Sequence, residues 1–225
     1  MAAGGGDVPA ARAAVATLCE TYWYPLYAYV RRRGGASADD ARDLTQAFLV
    51  SLLERRDFEQ LSPDRGRFRS FLLASLKHFL ANDAARRHTL KRGSGMTPLS
   101  LELDRAEGRY STEPAEPATP ESIYERRWAL TLIERVLAGL RAEWADHGRA
   151  VEFDELKEGL LGGGPAGGYA AAAARLGASE GALKVAAHRL RRKFQARLRQ
   201  EIAETVADPA EIDDEIRYLI RALHV

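Results

Sequence analysis

The stretch Tyr169-Ala-Ala-Ala-Ala-Ala-Arg-Leu-Gly177-Ala-Ser179-Glu-Gly-Ala-Leu183-Lys-Val-Ala-Ala-His188-Arg-Leu-Arg-Arg-Lys-Phe194 decides how the chain is read. Ala173 is small enough to let two helices approach closely. Gly177 supplies a tight turn four residues later, and Leu183 follows six further on, in the space between the helices. That spacing predicts a helix-turn-helix. Ser179 is a good N-cap for the second helix. On that helix Leu183, Ala187, Leu190 and Phe194 share one face. Glu180, Gly181, Lys184, His188, Arg191 and Arg192 fall toward the other, and with Ser179 they are the residues expected to meet the DNA major groove. An ordinary alanine-rich hairpin with a solvated basic face is the plainer alternative.

Working outward, helical periodicity dominates and no alternating strand pattern of useful length occurs. Val15, Leu18, Tyr22, Leu26 and Val30 place a stripe on a helix over roughly residues 9 to 33, with a kink expected at Pro25. Gly34-Gly35 ends it. Ser37 can cap a second helix carrying Leu44, Phe48, Leu49, Leu52 and Leu53, and a third begins after Gly66 with Phe68, Phe71, Leu72, Leu76, Phe79 and Leu80. From Gly93 to about Glu121 the periodicity stops among Pro98, Pro114, Pro117 and Pro120, as in an acidic linker. Helices resume with Trp128, Leu132, Ile133, Val136, Leu137 and Leu140, then Phe153, Leu156 and Leu160. The expected fold is all-α: two small helical domains joined by a flexible acidic linker, the second containing the helix-turn-helix. The boundaries expected are 8–95, 96–121 and 122–206, with a C-terminal acidic amphipathic helix over 207–225.

The formal net charge of +1 conceals segregation. Gly66 to Arg92 holds seven Lys or Arg against Asp83 alone, and Lys184 to Arg199 holds seven with no acid. Gln200 to Val225 reverses the sign, with seven acids against Arg217 and Arg221. Two basic stretches point to two contacts with a polyanion. In the first, aromatics interleave with cations, a pattern that can hold unstacked bases while neutralising phosphate. Arg67, Arg69, Phe71, Lys77, His78, Arg86 and Arg87 are the candidates there, although the eight-residue spacing of Phe71 and Phe79 favours a core role for those two rings. The last helix has clear local signals: Asp208 at the N-cap, Pro209 at the first helical position, and a stripe of Ile212, Ile216, Leu219, Ile220 and Leu223. It must dock, either on the second module or over a basic or apolar surface that a partner later uncovers.

Other functions find little support. Cys19 is the only cysteine, so there is neither an intramolecular disulfide nor a thiolate cage for zinc, and a reducing interior is expected. Thr21 to Val30, the longest strongly apolar stretch without charge, is too short to span a bilayer, and the N-terminus lacks the features of a secretory signal. No membrane association, a cytoplasmic location, no metal and no cofactor are therefore expected. The five histidines lack ligand spacing. Without a phosphate-binding Gly-Lys motif or a nucleophile elbow, the chain does not read as an enzyme.

The same residues resemble those of a bacterial RNA polymerase sigma factor of the extracytoplasmic-function type, over roughly residues 10 to 92 and 120 to 204. Asp40-Ala-Arg-Asp43-Leu-Thr45-Gln46-Ala-Phe48-Leu is similar to the family's segment that docks on the polymerase clamp helices. Arg67 to His78 is similar to its promoter-melting segment, and Tyr169 to Phe194 to the domain that reads the upstream promoter element. The resemblance implies core RNA polymerase and promoter DNA as partners, with Asp40, Arg42, Asp43, Gln46 and Phe48 at the docking surface and the loop from Asp57 to Arg67 capturing flipped bases. It further implies that acidic Glu102, Asp104 and Glu107 of the linker mimic nucleic acid, and that an anti-sigma factor or a Ser/Thr kinase could regulate docking. The usual acidic pair of the docking motif is here Arg42-Asp43, so added negative charge at the Thr45 hydroxyl is one expectation; local packing of Thr45 is the other. Ala145 to Gly168 is longer than the family pattern. A stand-alone helix-turn-helix regulator is the alternative function, but it leaves the first module without a role.

Overall fold

The computed structural model describes residues 21–33, 35–54, 67–89, 110, 118–160 and 163–224. The fold is all-α, 84% helical with eight helices and no strand among the described residues. Helix α1 covers residues 21–33, helical throughout with Pro25 included; α2 is Ala38–Glu54 and α3 Phe68–Thr89. Then come α4 (Pro120–Asp146), α5 (Ala150–Leu156), α6 (Gly168–Leu176), α7 (Glu180–Ala203) and α8 (Ile212–Ala222). Val15, Leu18, the loop over 57–66 and most of the expected linker, with Glu102, Asp104 and Glu107, lie outside the described residues. Among the described residues no helix is long and apolar enough to cross a membrane.

The chain divides into two compact units, one running to Thr131 and resuming at Thr205, the other Leu132–Glu204. This differs from the expected boundaries at 121 and 206 in two ways. First, α4 already begins at Pro120, and its residues up to Thr131 belong to the first unit. The sequence carried the signal for that start. Thr119 Oγ1 accepts from Ser122 N at 3.1 Å with Pro120 following it, so this proline is the first-turn residue after an N-cap and not linker punctuation. Second, the C-terminal helix belongs to the first unit.

The first unit is built around aromatic rings. Tyr22 of α1 stacks on Trp128 of α4 with centroids 3.9 Å apart, and Phe68 of α3 lies 6.1 Å from the same indole. Leu26, Leu49, Leu72 and Leu76 complete a core from which water is excluded. Ser37 caps α2 as expected: its Oγ accepts from Asp40 N at 3.1 Å and donates to the Asp40 carboxylate at 2.7 Å. In the second unit, Leu132, Val136, Leu140 and Trp144 of α4, Phe153 and Leu156 of α5 and the apolar face of α7 are all buried, with the Trp144 and Phe153 ring centres 6.1 Å apart. Residues 145–160 and 163–168 are thus part of this unit's frame. Arg141 clamps Asp154 at 2.9 to 3.2 Å, and Arg175 reaches Glu155 and the Ala166 carbonyl.

Candidate nucleic-acid interface

Helices α6 and α7 meet at the three residues Gly177-Ala178-Ser179. Gly177 ends α6 in the left-handed region at φ 61°, which only glycine adopts without strain. Its N–H and that of Ala178 reach back to the carbonyls of Ala174 and Ala173, at 3.4 and 3.0 Å, closing the last turn of α6. Ser179 is extended, and its Oγ accepts from Ala182 N at 3.2 Å to open α7. Ala172, Ala173, Leu183, Ala187, Leu190 and Phe194 are all buried, so the two helices are held by the small and apolar residues whose spacing predicted the pair.

The opposite face of α7 is solvent-exposed along Glu180, Gly181, Lys184, His188, Arg189 and Arg192. Its cations differ in how they are engaged. Lys184 holds Glu180 at 2.7 Å one turn back, a contact that raises the pKa of the ammonium. Arg189 and Arg192 make no ion pair among the described residues. Lys193 and Arg197 both grip Glu143 of α4, and the Lys193 contact chiefly holds that carboxyl below its ordinary pKa. Arg191 departs from its expected role. Its Nε donates to the Gly159 carbonyl at 3.1 Å and its Nη2 to the Tyr169 hydroxyl at 3.0 Å, so it ties the turn after α5 to the start of α6 rather than facing solvent with its neighbours. Beside the start of α7 lies an open groove of about 640 Å³, walled by exposed Val151 and Val185 with Arg149 and Arg189 at its rim.

In the first unit the expected melting segment is largely engaged internally. Arg69 is buried and bonded on three sides. Its Nε and Nη2 donate to Glu215 of α8 at 3.0 and 3.3 Å, its Nη1 to Glu125 at 3.2 Å, and its guanidinium lies 4.3 Å from the Tyr218 ring centre. Burial opposes its charge, but Glu215, with Tyr218 and Glu125, raises its pKa on balance. With α8 in place, Arg69 is therefore not a surface cation. Arg67 shares Glu215, with Nε 3.0 Å from Oε2. Phe71 is half-buried and stacks near Phe68, and Phe79 packs against Phe48, so both rings serve the core. Lys77 is half-exposed and holds Glu121 at 2.7 Å, which chiefly raises its pKa; His78 is exposed. Arg86 and Arg87 lie on α3, their side chains outside the described residues.

At the expected docking segment, Asp40 and Asp43 are exposed and Gln46 is half-exposed. Arg42 does not make this surface basic. It lies 3.2 Å from each of Asp39 and Asp43, and with Asp40 the start of α2 carries three acids against this one cation. Phe48 is a core residue at 2% exposure, so it can influence a partner only through the position of α2. Thr45 is fully buried and its Oγ1 donates to the Ala41 carbonyl at 2.7 Å, the local packing role; no phosphate fits there without moving the helix. Sequence reasoning missed the Glu215 and Glu125 partners of Arg69, because neither lies within a turn of it. Comparison of the chain with family models, with curated proteins and with solved structures gives no match.

Proposed function

We propose that the protein is a DNA-binding transcription-initiation factor of the kind the resemblance implies, a dissociable subunit that brings core RNA polymerase to promoters. It would read duplex DNA with the second unit as a helix-turn-helix. One observation carries the reading: a Ser179-capped helix entered through a left-handed Gly177, whose apolar face is buried while Glu180, Gly181, Lys184, His188, Arg189 and Arg192 line an open, cationic face. A helix with one such face matches the width and charge of the major groove. Arg192 and Arg189 are best placed for phosphate or base edges, with Lys184 exchanging Glu180 for DNA. The acidic start of α2 supports a protein partner with basic character, as polymerase docking requires. Run-off transcription with core polymerase on promoter fragments tests the reading directly. Template-dependent transcripts that vanish in the Lys184→Ala/Arg192→Ala double variant are expected, and duplex binding without any transcript would favour a stand-alone regulator.

A further inference from the structure

We infer that α8 is a self-mask: it occupies the cationic start of α3 with carboxylates, and single-stranded DNA gains Arg67 and Arg69 only when α8 leaves. This rests on reading the first unit as a nucleic-acid-binding module.

Glu215 carries the contact. It is 1% exposed, one of its oxygens lies 3.0 Å from Arg67 Nε and 3.3 Å from Arg69 Nη2, and the other lies 3.0 Å from Arg69 Nε. Glu211 adds a second carboxylate 4.0 Å from Arg67 Nε, beyond hydrogen-bond distance, and its Oε2 is buried with no hydrogen bond. With Glu125, three acids surround two guanidinium groups, so the docked state presents a net negative charge where the sequence places cations. A phosphate and a carboxylate use the same fork of guanidinium N–H donors. The two ligands therefore compete for one site.

The seat of α8 suits exchange better than permanent burial. Apart from Glu215, its fully buried residues are Leu219 and Ala222, and Ile220 on the same short helix is 49% exposed. Ile212, Ile216 and Leu223 stay partly exposed, so the most deeply buried group α8 inserts is the Glu215 carboxylate, and a buried ion pair adds little net stability while fixing one arrangement specifically. A helix of eleven residues does not persist alone in water, so leaving the site means unfolding, which hydrogen exchange reads directly. The tether is anchored at its start, where the Thr205 carbonyl accepts from Phe68 N at 2.9 Å.

The test uses the full chain and a fluorescent oligothymidylate at about 0.15 M salt. Glu215→Gln should tighten binding about tenfold and steepen the slope of log K against log salt by about 1.4, from two phosphates at about 0.7 each. Adding Arg67→Ala should remove most of the gain. In the wild-type chain, saturating oligothymidylate should abolish exchange protection over residues 215–222. That measurement decides the matter should Glu215→Gln fail to fold. Wild-type affinity and slope in a folded Glu215→Gln, unchanged protection with DNA bound, or no binding by either chain would each overturn the mask. Run-off transcription separates this from the broader reading. Transcripts with unchanged exchange overturn the mask alone, and exchange released by DNA without transcripts overturns the initiation role alone.

Discussion

Arg191 and Arg192 are adjacent on α7, carry the same charge, and should fail in opposite ways. Arg191 is half-buried and spends two donors on the Gly159 carbonyl and the Tyr169 hydroxyl. Hydrogen bonds from charged donors contribute about 1.5–3 kcal/mol each when sheltered. Discounted for the exposed half of the side chain, the pair gives about 1–2 kcal/mol for Arg191→Ala. In a unit the size of Leu132–Glu204, each kcal/mol moves the midpoint by about 4–8 °C, so a fall of about 5–15 °C is expected by calorimetry. The salt dependence of duplex binding should keep its slope, because no phosphate contact is lost. Arg192 is exposed and unpaired among the described residues, so Arg192→Ala should change stability by less than about 0.5 kcal/mol while lowering the slope by about 0.9. The reasoning fails if Arg191→Ala melts with the wild type and loses slope as Arg192→Ala does. That result would place Arg191 on DNA and show that its bonds to Gly159 and Tyr169 carry no stability.

Four further outcomes are expected. Gly177→Ala puts a Cβ on a residue at φ 61° and should cost about 1–2 kcal/mol in urea unfolding, with Gly181→Ala, in open space, as the control. Arg69→Ala removes two hydrogen bonds from the buried Glu215 carboxylate, leaving it Arg67 alone, and should cost about 2–3 kcal/mol, whereas exposed Ser70→Ala should be silent. Thr45→Val should cost about 1 kcal/mol, since the Ala41 carbonyl keeps its place in the helix, while Thr45→Glu should unfold the first unit instead of strengthening polymerase binding; a stable Thr45→Glu chain would show that the site can open. Burial holds the Tyr124 hydroxyl protonated well above 10, with its proton donated to the Arg69 carbonyl. Above pH 10 the unfolded chain loses that proton and the folded chain keeps it, so stability falls as pH rises, by up to about 1.4 kcal/mol per unit. Tyr124→Phe should flatten that alkaline slope in pH-dependent denaturation, and an unchanged slope would assign it to other groups.

The sequence by itself determined where helices start and stop and which stripe of each is apolar. Ser37, Gly177, Ser179 and Asp208 act within four residues of themselves, and the periodicity of Leu72 and Leu76 or Leu183 and Leu190 depends only on the helical repeat. Even Thr119-Pro120 was legible on the same terms. Cations are different. Whether Arg69 faces DNA or a carboxylate turns on Glu215, 146 residues away, and whether Arg191 faces outward turns on a carbonyl 32 residues away. Charge segregation told which segments are basic, but a guanidinium binds whichever carboxylate or carbonyl the packing brings within about 3 Å. The fold alone therefore decided that Glu180, Lys184, His188, Arg189 and Arg192 stay open while Arg67 and Arg69 are held under the C-terminal helix.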